Sequence, residues 1–200
     1  MSERAPSDAR AFWIYGGLAV FVAIMWFATL SSRPLFNPDE GRYAEIPREM
    51  LSGGDWVIPH LNGLAYIEKP PLQYWATALS LRVFGPSEFG ARFYTAFCAL
   101  GTLAVVWWVA KALWDTAAAW RASAVLSSLL LFVILGQLLT LDMSLTLYMT
   151  LSLAGFLLAQ PRGDPSQGRL MSGGQRRWML LAWVAAGAGV LTKGLVAAAI

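Results

Sequence analysis

Between two apolar runs lies the stretch NPDEGRYAEIPREMLSGGDWVIPHLNGLAYIEKPP, Asn37 to Pro71. It gathers Asp39, Glu40, Arg42, Glu45, Arg48, Glu49, Asp55, Glu68 and Lys69 around His60, the only histidine. Carboxylates in such a set accept protons or hold a divalent cation, and guanidinium and ammonium groups bind phosphate. Asp39 and Glu40 stand first. Asp142, in LLTLDMSLTL, joins them: it is the only acid between Asp115 and Asp164 and lies where two apolar runs meet. An ionisable group at membrane depth costs about 2.5 to 3.5 kcal/mol on insertion scales and by default marks function. Two outward-facing carboxylates have two roles open to them. One takes a proton from an incoming hydroxyl, or both hold a divalent ion that neutralises a phosphate leaving group. Arg42 and Lys69 supply cations, and Lys193 in LTKGL is a third, inside an apolar run where an anionic lipid phosphate would serve as its partner.

Each of these residues also has a plainer role. Acids in the first turn of a helix are stabilised by the backbone dipole alone, and long basic side chains reach out of apolar surroundings to headgroups. His60 has no second histidine and no HxxE or HExxH spacing, so the sequence gives a zinc site little support, and His60 could pair with Glu68 only with ligands from beyond these residues. Cys98 is the single cysteine and sits in an apolar run, which excludes a disulfide framework. It reads as a small buried thiol.

The elements that must position these groups are membrane helices. The chain is 57% hydrophobic and 14% charged, with ten tryptophans, too apolar for an ordinary soluble domain. Apolar runs at Phe12 to Leu30, Phe93 to Ala110, Ala122 to Leu141 and Met143 to Ala159 each approach the roughly 20 residues that cross hydrocarbon. A fifth begins at Trp178. The first is too long for a signal-peptide core and no A-x-A site follows, so it reads as an uncleaved helix. Leu195 to Ile200 shows no capping residue, polar tail or turn signal, and we expect the N-terminal part of a larger protein. The net charge of +3 comes largely from arginines at span ends. No basic stripe interleaved with stacking aromatics is present, and no nucleic-acid partner is expected. Trp107, Trp108, Trp114 and Trp120 read as interfacial belt residues.

Orientation follows from Lys and Arg in the short connections. Arg4 and Arg10, then Lys111 and Arg121, then Arg162, Arg169, Arg176 and Arg177 place those segments in the cytoplasm. Residues 31–91 then form a loop on the outer face, periplasmic in a bacterial inner membrane, and 161–177 a cytoplasmic one. Leu72 to Phe84 is helical in period but only thirteen residues long and contains Arg82, so it is expected on the outer surface rather than across the bilayer. Asn37 reads as an N-cap with Pro38 at the first helical position and acids in the first turn. Tyr43, Ile46, Met50 and Leu51 share one face of the helix that follows, with Pro47 kinking or ending it. Gly53, Gly54, Pro59, Asn62 and Gly63 break the next stretch into a looping path, and Pro70 and Pro71 stiffen the entry into Leu72.

NPDEGRYAEIPREMLSGGDWVIPHLNGLAYIEKPPLQYW, then EFGARFYTAF, LTLDMSLTLYMTLSLAGF and GVLTKG, occur in this order from Asn37 to Gly194. With them the chain resembles the polyprenyl-phosphate-sugar-dependent glycosyltransferases of the GT-C type. It is similar to the lipid A 4-amino-4-deoxy-L-arabinose transferases and to the related protein O-mannosyltransferase superfamily. The resemblance implies an all-α, multispan transmembrane bundle with juxtamembrane helices on the periplasmic side, in the bacterial inner membrane. It implies transfer of a sugar from a polyprenyl-phosphate donor to lipid A or another envelope acceptor. Asp39 matches the essential first-loop acid and Asp142 the second acid. Arg42 and Lys69 match positions that bind the donor phosphate, and Glu40, Tyr43 and Lys193 are grouped with them as substrate-binding candidates. Glu68 matches an acid that in relatives helps bind a structural metal with a histidine farther along. No cofactor is assigned with certainty, and a divalent ion stays one of the two readings of the acids. Gly41 stands where relatives often have Thr or Ser, and Leu195 where they often have Pro.

Two other classes compete. A secondary transporter predicts broken helices or charges near mid-bilayer and an internal repeat, whereas here the charges crowd one face and no repeat is visible. A non-catalytic lipid-binding subunit would keep the loop and lack the acceptor side.

Overall fold

The computed structural model describes residues 6–160 and 173–195, with the side chains of 13, 14 and 16 onward in the first helix. Eight helices and one hairpin follow in order among these residues. They are α1 (Pro6–Ala28), α2 (Asp39–Gly53), β1 (His60–Leu61), β2 (Leu64–Ala65), α3 (Leu72–Phe84), α4 (Glu88–Leu113), α5 (Thr116–Ser128), α6 (Leu130–Gln137), α7 (Asp142–Ala159) and α8 (Gly173–Lys193). By length and composition α4 and α7 are able to cross a membrane, and the bent pair α5 and α6 makes a third span if counted as one. The multispan helical architecture expected from the apolar runs is what forms.

Four local expectations change. The run from Ala122 to Leu141 is not one helix: it breaks at Leu129 with a 70° bend and ends at Gln137. Ser127 and Ser128 donate their hydroxyls to the carbonyls of Ala124 (3.0 Å) and Val125 (2.7 Å). Leu129 is extended there, the local competition with the helical ladder that such side chains offer. The helix after Asn37 starts at Asp39 with Pro38 at the cap and no side-chain cap bond, and it runs through Pro47 to Gly53. Pro47 is buried with Ile46 and Met50 on the inward face, so packing holds the helix past it. Gly54, at φ 75°, closes it.

The looping path that follows contains a hairpin, with His60 opposite Ala65 and Leu61 opposite Leu64. Asn62 and Gly63 take positive φ at its turn, the Asn-Gly signal of a two-residue hairpin. Glu49 of α2 clasps that turn, accepting from Asn62 N–H (2.6 Å) and Gly63 N–H (3.2 Å). Of the expected cytoplasmic loop, residues 173–177 are already the first turns of α8, and residues 161–172 lie outside the described residues.

Leu72 to Phe84 does form a thirteen-residue helix, and it packs on α2 and α4. Its Tyr74 joins Ile46 and Met50 in one apolar cluster, while Leu81 joins Ala91 and Leu139 in a second. Between the long helices, Cys98, Ala99, Phe132, Met143 and Leu147 form the bundle core. The antiparallel pair of α7 and α8 closes through small residues, with Ala154, Gly155, Ala159, Ala182 and Ala185 buried. Small residues let membrane helices approach closely, and here that seam brings the end of α8 beside the start of α7.

A Cβ at Gly155 would lie 2.7 Å from the Trp178 carbonyl oxygen and 2.9 Å from Ala182 N. Gly155→Leu is therefore expected to cost about 1 to 3 kcal/mol by overpacking, read as a lower melting temperature of the detergent-solubilised protein. Gly187→Ala, where a Cβ meets nothing within 4 Å, serves as the neutral or stabilising control.

Candidate functional site

Arg92, in the second turn of α4, is fully buried, and its guanidinium makes five hydrogen bonds. It donates from Nε to Glu40 Oε1 (2.8 Å), from Nη1 to the carbonyls of Leu30 (2.7 Å) and Arg33 (2.8 Å), and from Nη2 to the Pro34 carbonyl (2.8 Å) and Glu40 Oε2 (2.8 Å). Glu40, 1% exposed, is equally occupied. Besides Arg92 it accepts from Leu139 N–H (2.7 Å), Phe36 N–H (2.8 Å) and Arg33 Nη1 (3.0 Å). Burial alone would raise the Glu40 pKa, but the Arg92 bonds and the Leu139 and Phe36 N–H groups outweigh it and bring it from 4.5 to about 2. The Glu40 carboxylate is thus the joint of the α1–α2 connection, α2, α4 and the segment leading into α7.

One position earlier, Asp39 faces outward. Adjacent helical residues lie about 100° apart around the axis, so the inward anchor turns its neighbour toward solvent. Asp39 Oδ1 accepts from Arg42 Nη2 at 2.8 Å, and Arg42 Nη1 stands 3.9 Å from Glu68 Oε2. Lys69 Nζ lies 3.3 Å from the other Glu68 oxygen. The Arg42 guanidinium rests over the rings of Tyr43 (5.2 Å) and Tyr66 (5.9 Å), a placement that holds a cation without neutralising it. Tyr43 and Tyr66 in turn pack on Tyr74 of α3, with ring centroids 6.3 Å apart in each pair. Tyr66 donates its hydroxyl to Glu68 (2.7 Å), and burial together with that bond pushes its pKa up to about 12. Tyr66 therefore stays a protonated donor, and its bond holds the Glu68 carboxyl below its ordinary value.

Asp142 opens α7, and its Oδ1 accepts from Lys193 Nζ at the last turn of α8. Acid at a helix N-terminus and base at a C-terminus each suit the helix dipole. Ser144, one residue beyond Met143, donates to Gln73 Oε1 at 2.7 Å. Gln73 and Tyr74 are neighbours on α3, so the first turn of α3 carries Tyr74 on the tyrosine cluster around Arg42 and Gln73 on the start of α7.

Of the sequence-predicted residues, Asp39, Arg42, Tyr43, Glu68 and Lys69 form one continuous cluster. Asp142 and Lys193 form a second, at the start of α7 where Ser144 bonds to Gln73. Lys193, for which a lipid phosphate was the expected partner, already has the Asp142 carboxylate. Glu40 does not belong with the substrate-binding candidates: its oxygens are buried and fully engaged by internal donors. Among the described residues no three His, Cys, Asp or Glu side chains gather. Glu68, with Lys69 and Arg42 within 4 Å, does not by itself fit a divalent ion. His60 stands 3.9 Å from Asp55. The residues that sequence reasoning missed are Arg92, Arg33, Tyr66, Tyr74 and Gln73. An arginine inside the apolar run opened by EFGARFYTAF was the available signal for Arg92.

The fold is that of a multi-pass helical membrane protein, and its likeness to known proteins places it in the GT-C glycosyltransferase superfamily. Its backbone matches ArnT from Cupriavidus metallidurans in the apo state, with a TM-score of 0.83 at 38% identity, covering 94% of this chain and 34% of that one. The same protein bound to undecaprenyl phosphate matches with a TM-score of 0.85 at 37% identity, over 92% and 33% of the two chains. The chain belongs to the dolichyl-phosphate-mannose-protein mannosyltransferase family, whose pattern matches residues 11–200. It is 37% identical over 184 residues to an undecaprenyl phosphate-alpha-4-amino-4-deoxy-L-arabinose arabinosyl transferase of Yersinia enterocolitica, and 39% identical over 188 residues to a second such protein of Sodalis glossinidius. Each alignment covers 92% of this chain and 32% of the relative, so the chain spans about a third of the length of the curated relatives it matches.

Removing one partner of the buried pair tests the joint. Arg92→Leu leaves the buried Glu40 charge with only the half-buried Arg33 guanidinium opposite it and is expected to destabilise by about 3 kcal/mol, seen as loss of monodisperse protein or a large fall in melting temperature. A second expectation concerns pH. The folded Glu40 pKa lies below its ordinary value, so its contribution is fully present above pH 4.5 and is lost as pH falls toward about 2. The wild-type melting temperature should carry that component of acid sensitivity, and Glu40→Gln should lack it.

Proposed function

We propose that the complete protein is a membrane glycosyltransferase that moves a sugar from a polyprenyl-phosphate donor to an acceptor at the periplasmic face of the bacterial inner membrane. We assign 4-amino-4-deoxy-L-arabinose as the sugar and lipid A as the acceptor. The observation that carries this reading is the Asp39, Arg42, Glu68, Lys69 cluster, braced by tyrosines at the ends of the helices. It occurs in a chain whose relatives named above are arabinosyl transferases using undecaprenyl phosphate carriers. In this reading residues 31–91 lie in the periplasm and residues 161–177 in the cytoplasm.

An acceptor oxygen attacks the anomeric carbon, the bond from that carbon to the phosphate oxygen breaks, and polyprenyl phosphate leaves with the bonding electron pair. Charge grows on the phosphate as it departs. Arg42 and Lys69 are the cations set to stabilise it, most effectively where their own counter-charges are shared rather than fully neutralising. Asp39, outward-facing and hydrogen-bonded to Arg42, takes the acceptor proton, and Asp142, held by Lys193, acts as the second carboxylate of the site. The energy of transfer resides in the phosphate ester, so no nucleotide is required.

The test uses the complete protein in membranes with a radiolabelled polyprenyl-phosphate sugar. Asp39→Asn is expected to lower transfer by about 10² to 10⁴-fold while binding of undecaprenyl phosphate stays intact. Lys69→Ala is expected to weaken that binding instead. Unchanged transfer by Asp39→Asn would return Asp39 to a stabilising role at the helix N-terminus and overturn the assignment.

A further inference from the structure

Asp39 is next to Glu40, and Asp142 is three residues beyond Leu139. Glu40 Oε1 accepts from Leu139 N–H at 2.7 Å. Arg33, bonded to Glu40 Oε2, reaches the same segment through Nη2 to the Gln137 carbonyl at 2.5 Å. Two straps therefore tie the first turn of α2 to the few residues that lead into α7. Gln137 is the last residue of α6, and residues 138–141 lie between it and the start of α7 at Asp142, so their path is not set by a helical ladder of their own.

We infer that Glu40 is a positioning residue that fixes the placement of Asp142 relative to Asp39 by clamping the segment before α7 onto the start of α2. This rests on the reading of those two acids as the carboxylates of the transfer site. The chemistry of the clamp demands a carboxylate. Both Glu40 oxygens accept only, from N–H groups of Leu139, Phe36, Arg33 and Arg92. A glutamine in its place must turn an NH2 group toward one of those two sets of donors. Either the Leu139 strap or the Phe36 and Arg33 strap then faces donor against donor and opens.

The experiment measures turnover per folded molecule, undecaprenyl phosphate binding and the distance between α2 and α7 in the complete membrane protein. The variants are Glu40→Gln, Arg33→Met and Asp142→Asn. For the distance, spin labels are placed on cysteines introduced at Arg48 and Leu153, both exposed, while Cys98 is buried. Glu40→Gln is expected to lower kcat about 10 to 100-fold, the scale of a misplaced reacting group, with undecaprenyl phosphate binding within about threefold of wild type. It is also expected to broaden or shift the label distance. Arg33→Met keeps the Arg92–Glu40 pair and is expected to move both readouts the same way, with a kcat loss of about 3 to 10-fold. Should Glu40→Gln fail to fold, Arg33→Met carries the test.

A variant that loses only yield or melting temperature, with kcat per folded molecule and label distance unchanged, would overturn the inference. If Asp142→Asn abolishes transfer while the Glu40 and Arg33 variants keep wild-type kcat, only the positioning role falls. If Asp142→Asn itself leaves transfer intact, the assignment of Asp142 falls and the positioning role with it.

Discussion

The buried pair of Arg92 and Glu40 is the constraint on which the rest of the arrangement depends. A charge taken out of water is costly, and an ion pair in the interior repays that cost only if the geometry is good and the remaining donors and acceptors are also satisfied. Here the guanidinium meets the carboxylate through two parallel bonds and spends its other donors on three carbonyls of the α1–α2 connection. The carboxylate spends its remaining capacity on Phe36, Arg33 and Leu139. Three stretches of chain that are far apart in sequence, residues 30–40, the start of α4 and the segment before α7, converge on one pair of side chains. Apolar residues of equal volume would fill the space, but they would leave the Leu139 and Phe36 N–H groups and three carbonyls without partners.

The charged cluster at the helix ends is built outward from this joint. Packing of Ile46, Met50 and Tyr74 sets α3 against α2, and the hairpin turn is held to α2 by Glu49, with Trp75 of α3 bonded to the Trp56 carbonyl at 2.6 Å. These contacts carry Tyr66, Glu68 and Lys69 to the place where Arg42 points. On the other side, the small-residue seam of α7 and α8 decides how the two helices align along their length, and Lys193 meets Asp142 because of that alignment. That polar contact is a consequence of backbone approach, fixed by residues with almost no side chain.

Much of this was legible in the sequence. Hydrophobic length gave α4, α7 and the thirteen-residue α3, and the crowding of charge between Asn37 and Pro71 pointed to the cluster that forms. What escaped detection needed partners distant in the chain. Asp39 and Glu40 are equivalent in a linear reading, and only the position of Arg92, 52 residues on, separates the outward acid from the inward one. The bend at Leu129 follows from hydroxyls turning back on the helix, which apolar length conceals. The hairpin is a different case: Asn62 and Gly63 carried its signal, and both residues read equally well as simple chain breakers.

The adjacency of Asp39 and Glu40 is itself a physical solution. A carboxylate in the role proposed for Asp39 must face its substrate and so cannot be packed on all sides, and an exposed side chain keeps rotational freedom that blurs its position. The neighbouring residue on a helix points about 100° away, which is far enough to enter the core when the first faces out. Burying and saturating the second carboxylate immobilises the backbone one residue from the first. Rigidity is thus placed as close to the exposed acid as the chain permits without using the acid itself. The proline on one side and Gly41 on the other fit the same geometry: Pro38 occupies the cap without a side-chain bond, and a Cβ at Gly41 would stand 2.8 Å from Asn37 Oδ1. A larger residue at 41 would therefore turn the exposed Asn37 amide aside while the backbone of the first turn, fixed through Glu40, keeps its place.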